Sequence, residues 1–173
     1  MEVFSSSDFF YEWPVPNLLW KAVFLPARSF LKSAVRVNPQ YLKRWDEILS
    51  TGKKISAFGS VDAHIKLRLF NFMPENYLMS FQAVTMYVLT KEKTEEKIVE
   101  ALGKGRSFIA FEVFGLADEF SFSASKGGEV YGPGGISTSE SPVQITVKSS
   151  KPAQIKLIHD GQVVMEQAGT ALT

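Results

Sequence analysis

The stretch Ile55-Ser56-Ala57-Phe58-Gly59-Ser60-Val61-Asp62-Ala63-His64 decides how this chain is read. An apolar run closes on small residues, and an aspartate and a histidine follow two positions apart. A strand over 54–58 that exits in this way delivers a carboxylate and an imidazole to the end of a sheet or barrel. Both are ligands for divalent metals. The chain has only two histidines, His64 and His159, and no cysteine. Asp62 and His64 are therefore the candidate metal ligands. Two are too few for a closed site, because a catalytic zinc takes three protein ligands plus water. The same composition excludes thiolate zinc sites, disulfides and cysteine nucleophiles.

Outward from this stretch, helix and strand signals alternate. Upstream, Met1 to Phe4 reads as a strand, Asn17 to Phe24 and Ala27 to Val35 as helices, and Pro26 separates those two. Asn38-Pro39 opens a further helix, with asparagine at the cap and proline at the first helical position. Tyr41, Leu42, Trp45, Ile48 and Leu49 recur along it at helical spacing, and Gly52 ends it. Downstream, 83–89 reads as a strand. Thr90 or Thr94 caps a helix over 95–102 with Ile98, Val99, Ala101 and Leu102 facing inward, and 107–113 reads as another strand. This order predicts a mostly parallel α/β arrangement over residues 1–115.

The texture changes near Gly115. Residues 119–124 and 143–147 alternate apolar and polar as half-buried strands do. Segments 155–158 and 162–165 flank His159-Asp160-Gly161, and Asp-Gly suits a tight primed hairpin turn. Gly127-Gly128, Gly132-Pro133-Gly134-Gly135 and 137–141 read as turns and loops. Residues 116–173 are thus expected to form an antiparallel β module of about four strands.

The composition limits the function classes. The 173 residues suffice for one medium domain or two small ones, and a hydrophobic fraction of 45% allows a core. The formal net charge is +1, so no basic surplus favours nucleic acid. No stretch reaches the roughly 18 apolar residues of a membrane span. Glu2, Asp8 and Trp13-Pro14-Val15-Pro16 do not fit a secretory leader. A cytoplasmic location is expected. A chain that opens within a strand reads as one cut from something longer.

Gly59-Ser60-Val61-Asp62-Ala63-His64 resembles the last metal-binding motif of the PHP (polymerase and histidinol phosphatase) family of metal-dependent phosphoesterases. The flanks resemble it in order. Arg44 to Leu49 with Gly52-Lys53-Lys54 is similar to the helix and turn before that motif. Thr94 to Leu102 with Gly103-Lys104-Gly105-Arg106-Ser107-Phe108 is similar to the helix and turn after it. Met1-Glu2-Val3-Phe4 resembles an internal strand of that domain. Lys156-Leu157-Ile158-His159-Asp160-Gly161 resembles a hairpin of the β module that follows the barrel in some members.

The resemblance implies the C-terminal portion of a distorted β/α barrel over 1–115, followed by a small antiparallel, β-sandwich-like module over 116–173. It implies phosphate-ester hydrolysis by metal-activated water, with divalent Mn, Fe or Zn as cofactor and a phosphate ester as substrate. Only Asp62 and His64 carry over as ligands. The family's remaining histidine and glutamate ligands have no counterpart, and Val61 lengthens the usual Gly-Ser-Asp-Ala-His spacing. No catalytic residue is assigned. The chain alone is expected to bind metal weakly and to lack activity.

Competing readings stand beside these. Asp62 can cap a turn while His64 lies on the surface. Glu2 reads as a hydrogen-bonded structural residue, Lys66 and Arg68 as a solvated basic loop, and Arg106 as a surface or ion-pair residue. His159 reads as an exposed turn residue. The Gly132 to Gly135 turn lacks the Lys-Ser or Lys-Thr of a phosphate loop. The aromatic stretch Phe9-Phe10-Tyr11, Trp13, Leu18-Leu19-Trp20 and Val23-Phe24 packs on barrel segments missing from this chain or on the β module, or offers a membrane or partner surface, self-association included. The alternative function is a non-catalytic protein in which a degenerate barrel remnant supports a partner-binding β module. A third reading completes the metal site between two chains.

Overall fold

The computed structural model describes residues 1–5, 15–61, 81, 83–137 and 142–173. Eight strands and four α-helices lie within them. The chain divides into two compact units that interleave in sequence. One comprises Met1–Leu42, Ala57–Met86 and Ile109–Leu116; the other comprises Lys43–Ser56, Tyr87–Phe108 and Ala117–Thr173.

In the first unit, β1 (Glu2–Ser5) pairs in parallel with β2 (Phe58–Ser60). The register sets Glu2 beside Phe58 and Ser5 beside Ser60. Val3, Phe4 and Ser5 are buried. Phe4 and Val84 form the core, covered by Val35, Val61, Ile109 and Phe111. The Phe4 and Phe111 rings meet edge to face at 4.6 Å. Helix α1 spans Val15–Phe24, and α2 spans Ala27–Ala34 and buries Phe30 and Leu31. Arg28 Nε of α2 donates to the Val113 carbonyl at 3.3 Å.

Helix α3 (Pro39–Ser50) begins as its sequence dictates: the Asn38 side chain accepts from the Gln40 amide at 2.9 Å, and Gly52 follows the helix at φ +80°. Its apolar stripe is nowhere fully buried. Strand β3 (Thr85–Val88) pairs with β4 (Ser107–Ala110) in a two-stranded sheet.

In the second unit, α4 (Glu95–Gly103) is capped by Thr94, whose hydroxyl accepts from the Lys97 amide at 3.3 Å. It ends in a Schellman motif: the Arg106 amide donates to the Ala101 carbonyl and the Gly105 amide to the Leu102 carbonyl. Ala101 is buried, whereas Ile98 and Val99 are exposed, contrary to the inward face expected for all three. Val99 lies two residues from Ala101, about 200° around a helix, so both cannot face one core. Trp45 Nε1 donates to the Ile55 carbonyl at 2.8 Å, and Ser56 Oγ to the Leu102 carbonyl at 2.7 Å.

The main sheet of this unit runs β6-β5-β7-β8, antiparallel throughout. Its strands are β5 (Ser121–Lys126), β6 (Glu129–Tyr131), β7 (Gln144–His159) and β8 (Gln162–Leu172). Asp160 (φ 49°) and Gly161 (φ 73°) make the β7–β8 turn, with both dihedrals positive as a primed turn requires. Gly127-Gly128 does the same between β5 and β6. Val147, Ile155 and Leu172 form the core, covered by Phe120, Phe122 and Ile145.

This arrangement corrects the expected fold class. Among the described residues strands dominate, the sheets are small, and they form no β/α barrel. A barrel needs each strand hydrogen-bonded on both sides, in one ladder that closes on itself. Here β1–β2, a parallel pair, and β3–β4 are two separate two-stranded sheets. The expected strand over 54–58 is mostly irregular: only Phe58 lies in a strand, and the Ile55 carbonyl accepts from the Trp45 indole. The expected strand over 107–113 breaks at Ala110, where a 3-10 turn over Glu112–Phe114 begins to form. The β module is likewise one sheet rather than a sandwich among the described residues.

Candidate functional site

Strand β2 owes its path to Gly59. A Cβ there would lie 2.9 Å from Val84 Cγ2 and 3.0 Å from Ile109 Cγ2, so only glycine lets the backbone approach the core this closely. The Gly59 amide also donates to Met86 Sδ at 3.4 Å. The pair β1–β2 ends at Ser5 and Ser60, and Val61 packs on the Phe4–Val84 core directly after β2. Asp62 and His64, the sequence-derived metal ligands, lie outside the described residues, as do Lys66 and Arg68.

Glu2 is exposed, and its carboxylate accepts a hydrogen bond from Ser60 Oγ. This agrees with a structural role and ties the start of β1 to the end of β2. His159 is also exposed, with Nδ1 3.6 Å from Asp160 Oδ2 in the hairpin turn. Arg106 is exposed, and its backbone amide closes α4. Gly132-Pro133-Gly134-Gly135 is a β-turn, closed by the Gly135 amide on the Gly132 carbonyl at 3.0 Å, with Gly134 at φ +72°. It is no phosphate loop. Among the described residues no three His, Asp or Glu side chains gather as a metal cluster would.

The perturbed carboxylates are surface groups. Lys104 and Lys97 both donate to Glu100, at one face of α4, and hold its pKa down to about 2. The Lys156 ammonium, with the Gln154 amide, lowers Glu166 across β7 and β8. The Tyr131 hydroxyl donates to Glu129, which raises the phenol. Helix α4 spacing of three and four residues makes the Lys97–Glu100–Lys104 set legible in sequence. The cross-strand pair was not legible, since it depends on register.

Among the described residues of the second unit, two hollows stand out. One of about 640 Å³ is lined by Thr90, Lys97, Glu100 and Arg106. The other, about 790 Å³, is an apolar groove on the four-stranded sheet with Val130, Val143, Ile145, Leu157 and Met165 in its walls. Sequence reading missed this groove; the alternation over 143–147 was its only trace. In the aromatic stretch, Phe9, Phe10, Tyr11 and Trp13 lie outside the described residues. Trp20, Val23 and Phe24 are exposed, and the Trp20 and Phe24 rings meet at 3.9 Å. No helix among the described residues is long and apolar enough to cross a membrane.

No protein-family model, curated protein or solved structure matches this chain.

Proposed function

We propose that this chain contributes Asp62 and His64 to a divalent-metal centre that hydrolyses phosphate esters. The remaining ligands come from other residues. One observation carries the reading: β2 runs parallel to β1 and ends at Ser60. Asp62 follows Ser60 by two positions in the sequence. Ligands of parallel sheets gather beyond the carboxyl ends of the strands. The motif order around Gly59 to His64 supports the same reading and does not require a closed barrel.

A two-ligand set fits an open, weak site for Mn, Fe or Zn rather than a closed one. A metal bound there would supply an activated water and neutralise charge on the phosphoryl group. The absence of cysteine suits work in a reducing cytoplasm.

The test is a titration of the folded chain with Mn²⁺, followed by calorimetry and electron paramagnetic resonance. Weak, saturable binding is expected, with at least a tenfold loss of affinity in His64→Ala and in Asp62→Ala. The isolated chain should not hydrolyse an aryl phosphate. Unchanged affinity in both variants would overturn the reading, and so would the complete absence of binding by the parent chain. The second outcome would favour a non-catalytic, partner-binding module, the reading to which the apolar sheet groove belongs.

A further inference from the structure

We draw no further inference here: the strongest candidate, the exposed apolar pair Ile158 and Val163 at the outer end of the β7–β8 hairpin, carries nothing because nothing in the structure shows what covers it.

Discussion

Two methyl groups already fill the space where a Gly59 side chain would stand. The Val84 and Ile109 methyls leave 2.9 and 3.0 Å to an added Cβ, and both belong to the core of the first unit or its cover. Gly59 has no positive φ, so Gly59→Ala tests space alone. Overpacking of this kind costs about 1–3 kcal/mol. Urea denaturation should show that loss, and an unchanged midpoint would mean that the core yields freely. The glycine in the Gly-Ser-Val-Asp-Ala-His motif was legible as a motif residue, but its packing role was not, because Val84 and Ile109 are distant in sequence.

Glu100 makes a second test at this scale. Its folded pKa, about 2, lies below the ordinary carboxylate value of 4.5. The ionised group therefore stabilises the fold above the higher value, and that contribution is lost as pH falls from 4.5 towards 2. Being exposed, it is screened by salt. The difference in thermal midpoint between the parent chain and Glu100→Gln should be present at pH 7 and shrink through that window. A constant difference would show that the two lysines do not act through its charge.

At the scale of elements, local chemistry was readable and ladder partners were not. Helix α4 begins after Thr94 as its sequence suggests, since the cap bond spans only three residues. The β7–β8 hairpin also forms where Asp160-Gly161 announced it, because two residues alone set a primed turn. The short strand β6 is absent from the sequence reading, which took in only the Gly127-Gly128 turn before it. Its three residues carry too little alternation to declare a strand. At the hairpin, Gly161 has φ +73°, and an added Cβ would approach Asp46 Oδ2 to 3.1 Å. Gly161→Ala should therefore destabilise by about 1 kcal/mol or more through backbone strain. Gly161→Asn should recover part of the loss, because asparagine tolerates the left-handed region. Equal losses in the two would assign the effect to crowding at Asp46 instead.

At the scale of the whole molecule, alternating helix and strand signals suggested one continuous parallel layer. The order of elements was legible; their pairing was not. Whether successive strands join one sheet depends on long-range hydrogen bonds; here the Ile55 carbonyl accepts from an indole, and the Phe111 and Glu112 carbonyls close a 3-10 turn. Each unit consequently has its own small core. Leu172 is the most enclosed large side chain of the second, at 1% exposure, and it pairs with Val147 where β8 meets the inner part of β7. Truncation of a buried leucine costs about 2–5 kcal/mol through lost transfer energy and the cavity left behind. Leu172→Ala should accordingly speed amide exchange across β5, β7 and β8, whose side chains surround the Val147–Ile155–Leu172 cluster. The conservative Leu172→Met should leave most of that protection in place, since volume is nearly kept. If both variants exchange like the parent chain, the sheet is held by its ladder and turns rather than by this core. The apolar cover of Phe120, Phe122 and Ile145 would then contribute little to its stability.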